Sequence, residues 1–200
     1  MTPEILAAIE PLVAAFDGLG VSYHVGGSVA SSAFGVARST LDVDIVADLS
    51  REHGSSLVRT LEGRYYIDAK LVQEAIRRQE SFNLVHLETM LKVDVFISKD
   101  QPFDRECLKR RRQETIVEGP TGTAVLYVTS PEDIILRKLT WYRSGGEASE
   151  RQWNDVLGVI KVQSSALDLP HLRLWAERLD VADLLRRVFE EAGQPLEESS

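Results

Sequence analysis

Two hydrophobic periods run through this chain, and the point where one gives way to the other limits what it can fold into. Up to residue 128, segments that alternate apolar and polar residues are interleaved with segments of helical spacing; beyond it, every patterned segment is helical. That order specifies an α/β (α+β) chain: a mixed β-sheet flanked by helices over residues 1–128, then a helical C-terminal region over 129–200. There is no internal repeat and no low-complexity linker.

The elements follow from local signals. Thr2, Pro3 and Glu4 supply the cap, first turn and acidic start of a helix with Ile5, Ile9, Leu12 and Phe16 on one face, closed by Gly18 and Gly20. Residues 21–25 read as a short strand broken by Gly26-Gly27, and Ser28 opens a short helix of small residues to Phe34. Residues 41–47 read as a strand with Leu41, Val43 and Ile45 on one face and Asp42 and Asp44 on the other. Ser50 and Asp68 cap helices to Leu61 and Arg78, with a short strand at 65–67 between them. Strands at 82–87 and 90–97 pair across a turn near Glu88-Thr89; 104–113 reads as a polar helix and 124–128 as a β run. Ser130-Pro131-Glu132-Asp133 is a capping box that starts a helix to Arg143. Gly145-Gly146 ends it, and further helices open at Ser149, Asp168 and Asp180. The last four residues are expected to fray.

Charge and composition bound the function. With 23 basic and 31 acidic side chains, the net charge is −8, and 44% of the residues are hydrophobic. At roughly 100–200 residues per domain this is one domain, or one with a helical appendage. A chain of this length buries roughly 70% of its unfolded surface and needs no disulfide or metal staple. Cys107 is the single cysteine, which excludes an internal disulfide framework and fits a reducing, cytoplasmic setting. Glu4, Glu10 and Asp17, with no basic leader, do not make a signal peptide. No apolar run approaches the ~18 residues of a membrane span, so no membrane partner is expected. Net acidity opposes non-specific coating of a nucleic-acid backbone and leaves room for a local basic site.

The chemistry concentrates in Tyr23-His24-Val25-Gly26-Gly27-Ser28 and Arg38-Ser39-Thr40-Leu41-Asp42-Val43-Asp44. Residues two apart on a strand share a face at about 6–7 Å, so Asp42 and Asp44 present adjacent carboxylates. Such a pair repels unless a cation lies between. Hard oxygen donors suit Mg²⁺, which takes one or two protein carboxylates and completes its shell with phosphate and water. Gly26-Gly27 lets backbone approach a ligand, and a helix opening at Ser28 turns its first N–H groups toward an anion. Lys92-Val93-Asp94-Val95-Phe96 is an apolar strand carrying one acid, which a neighbouring strand would place against the Asp42/Asp44 pair. Three carboxylates around two metal ions suit an in-line phosphoryl or nucleotidyl displacement.

Gly27-Ser28, then 13 residues, then Asp42-Val43-Asp44, with Asp94 later on a strand, resembles the signature of the DNA polymerase β-like nucleotidyltransferase superfamily. Arg38 to Asp44, Ser130-Pro131-Glu132-Asp133-Ile134-Ile135-Leu136-Arg137-Lys138-Leu139 and Asn154-Asp155-Val156 are similar to its small bacterial branch related to AbiEii-type toxins. The resemblance spans residues 20–160 and implies a minimal nucleotidyltransferase core, with the C-terminal helices closing the nucleotide cleft. It implies that Gly26, Gly27, Ser28, Arg38, Thr40, Lys138 and Asp155 bind the nucleotide. Gly27 and Ser28 would hold the β and γ phosphates, and Lys138 would reach the phosphates from its helix. It implies that Asp42, Asp44 and Asp94 are catalytic and bind metal: two Mg²⁺ ions, or Mn²⁺ in their place. Asp94 would also help deprotonate the attacking hydroxyl.

Plainer roles stand beside these. A D-x-D pair on a strand edge is often only solvated, and Asp94 alone could be an edge charge that blocks aggregation. Arg38 could pair with Asp42 or Asp44; Lys138 could extend from a packed helix; Arg151 and Asp155 are spaced for a surface ion pair. Lys109-Arg110-Arg111-Arg112 reads as a solvated helix face or as a docking patch for a phosphate backbone. His24 reads as a strand residue, the four histidines lack metal spacing, Cys107 reads as inert, and Trp141, Trp153 and Trp175 as core.

The function expected is Mg²⁺-dependent transfer of a nucleoside monophosphate from a nucleoside triphosphate to a hydroxyl, releasing pyrophosphate. The resemblance implies an acceptor hydroxyl on RNA, a tRNA 3′ end among them, or on protein, and a toxin role with a cognate antitoxin as partner. Small-molecule acceptors stay open. The alternatives are a non-catalytic nucleotide-sensing or partner-binding module on the same fold, and a structural protein whose helices mediate dimerisation.

Overall fold

The computed structural model describes residues 2–36, 42–119, 122–194 and 196, and the side chains of all of these but 116–119 and 122–124. Arg38, Thr40 and Leu41 lie outside the described residues. The described residues form two compact units: one runs to Val29 and from Asp42 to Thr129, the other takes in residues 30–36 and those from Ser130 onward.

The first unit is built on one seven-stranded mixed sheet. Its strands are β1 (Tyr23–Val25), β2 (Asp42–Ala47), β3 (Tyr65–Tyr66), β4 (Ser81–His86), β5 (Lys92–Ile97), β6 (Arg112–Gly119) and β7 (Gly122–Val128), in the order β3-β4-β5-β2-β1-β7-β6. Helices α1 (Pro3–Leu19), α3 (Arg51–Leu61), α4 (Ala69–Arg78) and α5 (Pro102–Arg110) belong to this unit, and α2 (Gly27–Phe34) starts in it. The local signals act as expected. Thr2 Oγ1 accepts from the Ile5 N–H, and Gly20 ends α1 in the left-handed region at φ 67°. Asp68 caps α4 by accepting from Lys70 N–H (2.7 Å) and Leu71 N–H (3.1 Å).

Burial alternates along both central strands. Val43, Ile45 and Ala47 of β2, and Val93, Val95 and Ile97 of β5, are buried on one face; Asp42, Asp44, Val46, Lys92, Asp94 and Phe96 lie on the other, less covered face. Each fully buried aliphatic side chain contributes about 1.5–3 kcal/mol. The sheet register is therefore pinned by the core, because a one-residue slip would put the acids inside it.

The second unit is helical: α6 (Pro131–Ser144), α7 (Glu150–Gln163), a 3₁₀ turn (Ser164–Ala166), α8 (Leu169–Arg178) and α9 (Ala182–Glu191). Ser130 Oγ accepts from the Asp133 N–H, the expected cap. The two acids behind it are buried tethers to α8. Glu132 Oε1 accepts from Asp168 N–H at 3.0 Å, and Asp133 Oδ1 lies 2.8 Å from His171 Nε2. Gly35 lies so close to α7 that a Cβ there would come within 2.9 Å of Val159 N.

Four expectations are corrected. The helix over 104–113 ends at Arg110, and the chain turns into β6 at Arg112, paired antiparallel with β7. The basic run thus straddles a helix end and a strand start instead of lining one helix face. Arg111 donates to Leu108 O (3.0 Å) and covers the Tyr127 ring at 4.5 Å. Trp153 and Trp175 are buried, but Trp141 is half exposed. Asp180 does not cap α9; it takes φ 57° and Val181 occupies the cap position. Cys107 is fully buried. Among the described residues, no helix is long and apolar enough to cross a membrane.

Candidate active site

The site face is assembled from β1, the start of α2, β2 and β5. β1 runs antiparallel to β2 with Val25 opposite Ile45, and the next link is Gly26 N–H to Asp44 O at 2.8 Å. Gly27 then begins α2 at φ 55°. A Cβ built on Gly27 would collide with the Asp44 carboxyl, approaching Cγ to 2.6 Å. The glycine thus does two things: it takes a backbone conformation other residues avoid, and it admits the Asp44 carboxylate beside the first turn of a helix. Ser28 follows, buried in that first turn.

β2 and β5 run parallel and in register, with Asp42 opposite Lys92, Val43 opposite Val93 and Asp44 opposite Asp94. On the far side of β5, Asn83 of β4 stands opposite Asp94. The row Asp44–Asp94–Asn83 crosses the sheet at the level of the Gly26-Gly27 turn, so the structure brings Asp44 and Asp94 together side by side.

Asp42 lies two residues before Asp44 on the same face of β2, opposite a cation. Its side chain is 62% exposed, and the Lys92 ammonium lies 4.0 Å from its Oδ1 and 2.8 Å from Asp94 Oδ2. The hydrogen bond to Asp94 holds the Lys92 ammonium above its usual pKa, and the carboxylates of Asp42 and Asp44 add to that. Among the described residues, no three His, Cys, Asp or Glu side chains form a group that could hold a metal ion. The pair that does adjoin, Asp44 and Asp94, offers the oxygen donors and the one-or-two-carboxylate count that suit Mg²⁺, and the ammonium at Asp94 marks where a cation is favoured. Lys92 is a residue of this site that the sequence alone leaves without a role. Its spacing of two from Asp94 put it on the same face; its place opposite Asp42 needs the β2–β5 register.

His24 is a strand residue held inside the fold. Thr129 Oγ1–H donates to Val25 O (2.9 Å), so at 2.7 Å the His24 Nδ1 is the donor to Thr129 Oγ1. In the helical unit, Lys138 Nζ donates to Asp155 Oδ2 at 2.8 Å, with only 11% and 9% of the two side chains exposed. This links α6 to α7 and is a nearly buried pair, whereas sequence spacing predicts a surface pair of Asp155 with Arg151.

No family model matches the chain, and no curated protein matches it. Solved structures do. The antibiotic-resistance factor ANT(2″)-Ia in solution superposes with a TM-score of 0.51 at 18% identity, over 96% of this chain and 98% of that one. An antigenic nucleotidyltransferase-like protein from Paracoccidioides brasiliensis gives 0.54 at 16% identity, over 100% and 97%. ANT(2″)-Ia in complex with adenylyl-2″-tobramycin gives 0.52 at 14% identity, over 88% and 96%. The fold is therefore the α/β fold of nucleotidyltransferase-like proteins.

Proposed function

We propose that this chain is a Mg²⁺-dependent nucleotidyltransferase. The observation that supports it most is the in-register Asp44–Asp94 pair beside the glycine-opened start of α2. The acceptor hydroxyl oxygen attacks the α-phosphorus of a nucleoside triphosphate, the bond to the bridging oxygen breaks, and pyrophosphate leaves. Asp94 takes the hydroxyl proton. The first turn of α2, at Gly27 and Ser28, receives the β and γ phosphates. Asp44 and Asp94 would hold Mg²⁺ or Mn²⁺, which when bound neutralises phosphate charge, and the sequence resemblance alone adds Asp42 to them. Arg38, Thr40, Lys138 and Asp155 are assigned to nucleotide binding by the sequence resemblance alone.

The same resemblance supports RNA or protein as acceptor, and a toxin role with a cognate antitoxin. The fold neighbour solved with adenylyl-2″-tobramycin supports a small-molecule hydroxyl instead. A second reading, a non-catalytic nucleotide sensor, is favoured by the Lys92 ammonium lodged against Asp94.

Thermal unfolding with each NTP, with and without Mg²⁺, tests the proposal. A ligand at 100 times its Kd adds about 2.7 kcal/mol to the native state. The wild type should gain stability only with NTP and Mg²⁺ together, and Asp44→Asn and Asp94→Asn should lose the gain. No Mg²⁺-dependent gain with any NTP would refute it. Labelled NTP with total RNA, protein or aminoglycoside then separates transferase from sensor, since a sensor leaves no covalent label.

A further inference from the structure

Lys92 reaches two of the three site acids at once, hydrogen-bonded to Asp94 at 2.8 Å and 4.0 Å from Asp42. The backbone dictates this reach. Lys92 is opposite Asp42 in the β2–β5 register and two residues from Asp94 on the same face of β5. A cation that joins Asp94 to Asp42 across two strands does what a metal ion would do in the same place. Two cations within about 4 Å of each other repel, and solvent at this half-exposed site reduces that repulsion without removing it.

We infer that Lys92 is the resident counter-ion of the acid cradle, and that a divalent ion binds only by displacing its ammonium from Asp94. The inference rests on the proposed nucleotidyltransferase reading and deepens it. Without metal, the ammonium offsets the mutual repulsion of Asp42, Asp44 and Asp94. A bare divalent ion must push out one positive charge for the two it brings, so it binds weakly. A divalent ion carried on a triphosphate also brings phosphate oxygens, to which the released ammonium can turn. The site therefore selects the metal–nucleotide chelate over the free metal, and Lys92 sets that order without touching the reacting atoms. It is a positioning residue.

Binding of Mn²⁺ alone, followed through the resonance of the free ion, tests this on the full chain. Lys92→Met should bind Mn²⁺ about tenfold more tightly than wild type, a discounted figure for one charge at a half-exposed site. Lys92→Arg should bind as weakly as wild type, which a merely structural loss would not reproduce; Lys92→Gln serves if the methionine variant folds poorly. Adding Asp94→Asn to Lys92→Met should abolish the gain and so locate the ion. With ATP present, the difference between wild type and Lys92→Met should shrink. Equal or weaker Mn²⁺ binding by both Lys92→Met and Lys92→Gln, while wild type still binds Mn²⁺–ATP, would overturn this inference and leave the nucleotidyltransferase reading standing. No Mn²⁺ binding by any variant, with or without ATP, would overturn both.

Discussion

Gly27 and Asp44 share a space that only a hydrogen on Gly27 leaves open: a Cβ there would strike the Asp44 carboxyl, and the backbone sits at φ 55°. The two glycines of the turn are consequently not equivalent. A Cβ on Gly26 would meet Thr129 Oγ1 at 3.6 Å and Asp44 O at 3.9 Å, which is ordinary contact. Gly27→Ala should lose about 2–4 kcal/mol in urea unfolding, combining left-handed strain with a displaced carboxylate. It should also lose any Mg²⁺–NTP stabilisation. Gly26→Ala should stay within about 1 kcal/mol of wild type. Equal losses for the two variants would show that the turn does not owe its sequence to Asp44.

The Lys138–Asp155 pair links α6 to α7 with about a tenth of each side chain exposed. Removing one partner strands a nearly buried charge, so Asp155→Ala should cost about 2–4 kcal/mol, while the paired change Lys138→Met with Asp155→Leu should recover most of it. Nucleotide binding by the double variant separates two roles. If the pair only fastens the helices, the stable double variant keeps its full NTP-dependent gain in melting temperature. The nucleotide-contact role that the sequence resemblance implies requires that gain to vanish.

Gly35 needs no positive φ, yet a Cβ on it would fall 2.8 Å from Ser31 O and 2.9 Å from Val159 N, both backbone atoms that cannot swing away. Gly35→Ala should therefore force the start of the second unit off α7. The Gln163 Nε2 to Phe34 O hydrogen bond (2.8 Å) at the same junction should weaken with it. A loss of about 1–3 kcal/mol is expected. Faster amide exchange in α7 would locate the damage, and an unchanged urea midpoint would contradict it.

What the sequence made legible is what local chemistry decides. Thr2, Asp68 and Ser130 announce their helices because a short polar side chain facing backbone N–H groups acts within three residues. The alternation in 42–47 and 92–97 declares both strands and the faces of their acids, because one face must be buried. Long-range pairing decides the rest. Arg112-Gln113-Glu114 is polar enough to extend α5 on paper, and it becomes β6 because β7 is there to pair with it. Lys92 gains its role from the acid opposite it on another strand, which no spacing within β5 encodes. Trp141 resembles Trp153 in composition, but it lies off the Ile135–Leu139–Tyr142 stripe that α6 buries, so it is half exposed.

Two buried phenols, Tyr23 and Tyr65, should make the first unit lose stability at alkaline pH. Tyr65 donates its hydroxyl to Ala8 O at 2.8 Å, and burial raises its pKa well above the usual 10, with a hydrogen bond to the Leu12 backbone and the Arg64 charge opposing only in part. Burial, helped by the Asp17 charge and opposed by a hydrogen bond to the Tyr127 backbone and, less, by Arg111, pushes Tyr23 up to about 12. In both, the fold favours the protonated phenol, so the native state holds more protons than the unfolded chain above pH 10. Stability from these groups is complete below pH 10 and falls as pH rises toward 12; for Tyr23 the loss amounts to about 2–3 kcal/mol. Urea midpoints should therefore hold level up to pH 9.5 or so and then drop, with tyrosinate absorbance rising on unfolding. Tyr65→Phe should start about 1 kcal/mol lower at neutral pH, from the lost hydrogen bond to Ala8, and should decline less between pH 10 and 12. A wild-type midpoint level through that window, or a decline as steep in a Tyr23→Phe/Tyr65→Phe variant, would assign the alkaline limit to other groups.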